Sequence, residues 1–262
     1  MTEMTKYKPG AFSWVDLNTT DAGGARTFYS KLFGWSHDEL PAGEAGVYVM
    51  FNIGGKTVAG MAQMSPDQQA QDMPPVWTSY VTVISADETA KKVKALGGTL
   101  MMEPMDVMDV GRMGLAQDPG GAVFAFWEPR AHIGAQVVNE PGCLSWNELA
   151  TRDTEKAGEF YTRLFGWGTQ VQEMPQMVYT TFMVGERSNG GMMQMDEKWE
   201  GAPSHWMAYF AVADCDASAK KVEELGGKIH VPPTDIPSVG RFSVVQDPQG
   251  ADFTIIYLIN PE

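Results

Sequence analysis

Cysteine is nearly absent. The chain has 262 residues and only two cysteines, Cys143 and Cys215. That rules out a disulfide framework, and their spacing matches no metal motif. A reducing cytoplasm is the expected compartment. Basic residues are also scarce, with 19 Lys and Arg against 33 Asp and Glu, for a net charge of -14. Nucleic acid is therefore not an expected partner, because neutralising phosphates needs clustered cations. No apolar run is long enough to span a bilayer, so no membrane role is expected. The first residues, Met1 to Pro9, are polar and lack the apolar core of a signal peptide. The glycine pairs mark turns and form no phosphate-binding loop.

What is present is an internal repeat. Phe28-Tyr29-Ser30-Lys31-Leu32-Phe33-Gly34-Trp35 returns as Phe160-Tyr161-Thr162-Arg163-Leu164-Phe165-Gly166-Trp167. The strand-like stretch before it, Phe12 to Leu17, returns at the same offset as Leu144 to Leu149. A constant offset over a strand and a helix indicates duplication. Thr20 or Asp21 can cap the first helix, and Gly34 stops it. Within each half the pattern restarts. Trp77 to Val83 reads as a strand and Ala86 to Leu96 as a helix before Gly97-Gly98. Strands near Thr99 to Met102, Gly111 to Gln117 and Ala122 to Trp127 follow. The second half repeats this order, including Val-Gly-Arg at 239–241 and Asp-Pro-Gln-Gly at 247–250.

The expected fold is α+β, with four tandem βαβββ modules. Residues 1–9 read as a loose arm, 10–130 as one domain, 131–141 as a linker and 142–262 as a second domain. Each half is long enough to bury its own core. Helices are expected outside the sheets. The inner faces of two paired modules are then free to line an open, barrel-like trough for a small molecule.

The strand–helix start, the Phe-Tyr…Leu-Phe-Gly-Trp helix end, the Leu-Gly-Gly turns and the Asp-Pro-x-Gly hairpins resemble the vicinal oxygen chelate superfamily. That family includes glyoxalase I, extradiol dioxygenases and bleomycin-sequestering proteins. The chain is similar to its double-domain actinobacterial members, which carry glyoxalase-like or hydroxylase labels. The resemblance implies two glyoxalase-like open-barrel domains. In metal-dependent members a His or Glu stands early in the first strand of a module, and a Glu on the last strand. Those positions fall here on Trp14, Trp146, Thr78, Met207, Ala125 and Thr254. None of these side chains is a usual donor for a divalent metal. The expectation is no metal at the family's position and no cofactor. A shifted site using Asp16, Glu148 or His205 is the alternative.

Alternation assigns the trough faces. On the first strand Phe12, Trp14, Asp16 and Asn18 should point one way. Trp14, Asp16, Thr78, Tyr80, Ala125 and Trp127 should line the first trough. Trp146, Glu148, His205, Met207, Tyr209, Asp252 and Thr254 should line the second. Trp14 and Trp146 either fill the space of a lost ion or stack on a flat ligand. Asp16 and Glu148 occupy matched places in the repeat. Each is either paired, with Arg112, Arg241 or a backbone N–H, or is an acid/base carboxylate with a raised pKa. Arg112 and Arg241 are expected to pair at the sheet edge with Asp109, Asp235 or the inward carboxylates, with an anion clamp as the alternative. His205 and Tyr209 can join Glu148 in a proton-transfer set. Trp77 and Trp206 fall on the helix side and read as core. His37, His132 and His230 lie in turns or linkers and are expected in solvent.

The functional expectation is a metal-independent enzyme acting on an apolar or aromatic metabolite by acid/base chemistry, of isomerase, cyclase or lyase type. The alternatives are sequestration without turnover and, third, a metal-dependent glyoxalase or dioxygenase. The expected partner is a small-molecule ligand, and the chain is expected to be a monomer or a homodimer.

Overall fold

A computed structural model describes residues 2–42, 46–174, 177–199 and 201–259. The first half begins with β1 (Thr2–Glu3) and β2 (Phe12–Thr19), then α1 (Ala22–Phe33). Three strands follow: β3 (Ser36–Pro41), β4 (Val47–Ile53) and β5 (Lys56–Gln63). A short helix α2 (Pro66–Ala70) leads to β6 (Val76–Thr82), α3 (Ala86–Ala95), β7 (Thr99–Val107), β8 (Gly111–Gln117) and β9 (Val123–Pro129). The linker carries β10 (Val137–Val138). The second half repeats the plan with β11 (Leu144–Thr151), α4 (Thr154–Phe165), β12 (Gly168–Met174), β13 (Met177–Val184) and β14 (Arg187–Gln194). It ends with β15 (His205–Ala211), α5 (Cys215–Glu224), β16 (Lys228–Ile236), β17 (Gly240–Gln246) and β18 (Asp252–Leu258).

Each half forms one eight-stranded sheet. The orders are β3-β4-β5-β2-β6-β9-β8-β7 and β12-β13-β14-β11-β15-β18-β17-β16. The two modules of a half join through antiparallel pairs, β2 with β6 and β11 with β15. Neither sheet closes into a barrel, since the outermost strands stay unpaired with each other.

Local chemistry sets the helix limits. Asp21 is the N-cap of α1, its Oδ1 accepting from the Gly24 N–H at 3.0 Å. Gly34 ends the helix at φ 76, and Gly166 ends α4 at φ 72. A side chain is strained in that left-handed region. The first strand carries a bulge between Phe12 and Trp14, repeated between Leu144 and Trp146. The bulge corrects the expected alternation, because the extra residue re-aims the chain. Phe12 turns to the helix side, packing on Trp167 and Trp206, while Trp14 turns into the trough.

The cores also differ from expectation. Length suggested a separate core for each half, but two shared cores lie between the halves. One joins α1 and its sheet to the α5 module, with Tyr29, Trp35, Trp77, Phe210 and Phe253. The other joins the α3 module to α4, with Phe124, Phe126, Tyr161, Trp167, Phe182 and Trp206. Trp77 and Trp206 are core, as parity required. The repeat motifs meet across this seam. Tyr29 donates to Asp247 Oδ2 at 2.9 Å and accepts from Trp77 Nε1 at 2.9 Å. Its counterpart Tyr161 stands against Asp118 and accepts from Trp206 Nε1 at 2.8 Å. There the fit is looser, and Asp118 Oδ2 has no partner at hydrogen-bonding distance among the described residues.

Two clefts of about 400 and 240 Å³ flank the seam at matched places, one beside α1 and one beside α4. The sheets' opposite faces, turned away from the seam, carry the residues that the sequence assigned to the two troughs.

Candidate functional site

The same four-residue arrangement stands on the floor of each trough. In the first, Asp16 Oδ2 accepts from Tyr80 at 2.9 Å and from Tyr48 at 3.1 Å. Trp14 Nε1 donates to the Tyr48 hydroxyl at 3.1 Å. In the second, Glu148 accepts from Tyr209 at 2.6 Å and from Tyr179 at 2.8 Å. Trp146 Nε1 donates to the Tyr179 hydroxyl at 3.0 Å. Alternation brought out the tryptophans, the carboxylates, Tyr80 and Tyr209. It missed Tyr48 and Tyr179, although the Val-Tyr pair at 47–48 and again at 178–179 was a readable signal.

These tyrosines fit because the strand beside each carboxylate offers glycine. Asp16 lies opposite Gly60 and Glu148 opposite Gly191. A Cβ at either glycine would overlap the tyrosine hydroxyl. The phenol thus fills the space where a neighbouring strand would otherwise present a side chain.

Burial governs the protonation of both clusters. It pushes the Asp16 carboxyl up to about 6, while hydrogen bonds from Tyr80 and Tyr48 pull it down. Glu148 is likewise raised by burial and drawn back by Tyr209, Tyr179 and the charge of His205. Tyr48, Tyr80, Tyr179 and Tyr209 are all held above the ordinary phenol range, by burial first and then by the neighbouring carboxylate. They remain neutral donors.

The two troughs differ in what covers them. In the first, the His132 ring stands edge-on to Trp14, with centroids 4.6 Å apart, and 5.8 Å from Trp127. Trp127 Nε1 holds the His132 carbonyl at 2.8 Å. The Ala135 N–H reaches the Ser13 carbonyl at 2.7 Å, and the Tyr7 hydroxyl reaches the Ala135 carbonyl at 2.7 Å. The linker thus fills this trough and pins the arm, whose β1 pairs with β10. The arm expected to be loose is tied down. Trp14 keeps only 4% of its surface exposed. His132, expected in solvent, is half-buried, and desolvation pushes it down to about 4. In the second trough Trp146 is half-buried, less covered than Trp14, and meets no other ring among the described residues.

The remaining sequence-selected residues divide clearly. Thr78 lies opposite Asp16, and Ala125 lies beside Tyr80 with Trp127 on the same face. Met207 lies opposite Glu148, and Thr254 beside Tyr209. His205 stands farther along the same face, its Nδ1 2.9 Å from the Pro203 carbonyl and its ring 6.0 Å from Trp199. Three candidates are corrected. Arg112 pairs with Asp87 and Asp106, and Arg241 with Asp216 and Asp235. Both point to the helix side, since Met113, one residue on from Arg112, packs into the trough. They brace the first turns of α3 and α5. Asp252 is exposed at a strand end, bonded to Gln246 and 3.1 Å from His230. Its distance along β18 from the floor removes it from the cluster.

Against known proteins, residues 11–126 and 143–255 each match the Glyoxalase/Bleomycin resistance protein/Dioxygenase superfamily. The chain belongs to that superfamily. It is 42% identical to "Putative glyoxylase CFP32" of Mycobacterium tuberculosis over 98% of both chains. It is 34% identical to "Anthracycline biosynthesis protein DnrV" of Streptomyces peucetius, over 97% of this chain and 96% of that one. Among solved structures, the Mn(II)-bound glyoxalase of Novosphingobium aromaticivorans aligns with a TM-score of 0.64 at 14% identity, covering 97% of this chain and 83% of that one. The 2,3-dioxygenase LapB of Pseudomonas sp. KL28 aligns with 0.63 at 12%, covering 96% and 93%. At such identities the likeness concerns the fold alone.

The manganese in that glyoxalase raises the question of a metal here. A divalent ion needs several lone-pair donors converging on one point. Among the described residues no three His, Cys, Asp or Glu converge in that way. Each trough floor offers one carboxylate flanked by neutral phenols, with glycine on the next strand. That donor set does not fit a divalent ion.

Proposed function

We propose that this superfamily member binds a small organic molecule in its second trough and moves a proton on it with Glu148. The supporting observation is the raised Glu148 carboxyl, held by two tyrosine hydroxyls beside a half-buried Trp146. A carboxylate moved toward neutral pH is a better proton acceptor at working pH. When it takes a proton from carbon, Tyr209 can turn its hydroxyl to the oxygen where charge develops. Isomerase, cyclase and lyase reactions share that step. Similarity to a protein named for anthracycline biosynthesis makes a biosynthetic intermediate a fitting ligand class to screen.

The test is Glu148→Gln, measured against a ligand found by screening. Turnover should fall by at least about a hundredfold, the usual worth of one general base, with affinity nearly kept. Unchanged turnover would remove Glu148 from the chemistry. A second reading, sequestration without turnover, draws on Trp146 and Met207, which offer apolar surface with no chemistry of their own. A tightly held ligand recovered unaltered from the wild type would favour it.

A further inference from the structure

The first trough is filled by the chain's own linker. Both floors have the same bulged tryptophan, the same indole-to-tyrosine bond and the same doubly bonded carboxylate. Among the described residues only the first is covered by the chain itself, and the covering group is a ring. His132 stands against Trp14 with an interplanar angle of 86°. It is a tethered occupant of a site that the repeat has built twice.

We propose that the second trough binds an uncharged planar ring, held edge-to-face on Trp146 in the place that His132 takes on Trp14. This rests on the reading of the second trough as the binding site, and it adds the class of ligand. An edge-to-face pair favours a flat ring over an aliphatic group of equal area, because the positive ring edge meets the negative indole face. Negative charge is selected against, because an anion would face the Glu148 carboxylate, and His205 stands farther along the same face. The tethered ring is itself a neutral imidazole.

The probe is indole, titrated calorimetrically into the full chain near neutral pH, with benzoate as the anionic control of similar size. Wild type should bind about one indole with a dissociation constant below about 1 mM, within reach of a ligand of that size. Benzoate should bind at least about tenfold more weakly. Trp146→Leu should weaken indole about tenfold, and Trp146→Phe less, because a ring is kept. His132→Gly should uncover the first trough and raise the stoichiometry to about two. Equal binding of benzoate and indole by the wild type would overturn the proposal without any variant. So would absence of saturable indole binding, or a stoichiometry of one in a folded His132→Gly protein. These readouts need no turnover, so Glu148→Gln can fail as a catalytic test while the ring site stands. Preference for benzoate would sink the requirement for an uncharged ring and leave Glu148 chemistry untouched.

Discussion

At the residue scale, the two floor carboxylates are the most informative groups in the chain. Asp16 has a folded pKa near 6 against an ordinary 3.8. Below about pH 4 the carboxyl is protonated folded or unfolded. As pH rises from about 4 to 6 the unfolded chain gives up this proton first, so the folded state loses stability over that window. Asp16→Asn removes that loss. Relative to wild type, it should be near neutral at pH 4 and stabilising by about 1–3 kcal/mol at pH 8. Urea unfolding of both proteins at the two pH values measures it, and a difference that does not change with pH would refute the assignment. Sequence alone showed that Asp16 and Glu148 were matched and faced inward. It did not show their tyrosine partners. Tyr48 and Tyr179 arrive from strands two places away in the sheet, over glycines whose emptiness means something only once register is known. For Arg241 the expected pair with Asp235 is present, whereas the helix-side face of Arg112 and Arg241, away from the inward carboxylates, depends on the same register.

At the element scale, the repeated helix motif acts across the seam. Its tyrosine bonds the aspartate of the Asp-Pro-x-Gly turn in the opposite half, and its hydroxyl accepts from the tryptophan of a central strand. Two motifs that read as a helix end and a hairpin are therefore parts of one latch. The sequence displayed both, and no pattern within one element could reveal that they meet. The bulge was hidden for a related reason. Phe12 and Trp14 alternate correctly for one face, yet the residue inserted between them sends them to opposite faces. Tyr29→Phe would leave Asp247 Oδ2 and Trp77 Nε1 buried without this partner, at a cost of about 1–3 kcal/mol. Tyr161→Phe should cost less, because Asp118 Oδ2 already lacks a close partner there. Denaturant midpoints of the two variants test that order; equal losses would show the latches to be equivalent, and reversed losses would overturn the order.

At the scale of the whole molecule, duplication produced two like sheets, and the connection between them made them unlike. The linker after β9 passes over the first trough and fills it with His132, Gly134 and Ala135, while Trp146 in the second is only half-buried among the described residues. Fold class and tandem modules were legible from the repeat. The choice of trough was not, because it depends on where a short irregular segment lies. Length also misled, since it counted residues per half and the molecule buries its apolar faces between halves. The second half on its own would expose Phe210, Phe253 and Ile255 on the α5 side, and Tyr161, Phe182 and Trp206 on the α4 side. Exposed surface of that size is far outside what a soluble monomer carries. The two halves share one strand order, so a second copy can cover those faces much as the first half does. Residues 142–262 expressed alone should therefore be either unfolded or dimeric. Added residues 1–141 should displace the second copy, since the Tyr29–Asp247 latch exists only between unlike halves. Light scattering with circular dichroism decides this, and a folded monomer of the isolated half would show that each sheet carries a sufficient core of its own.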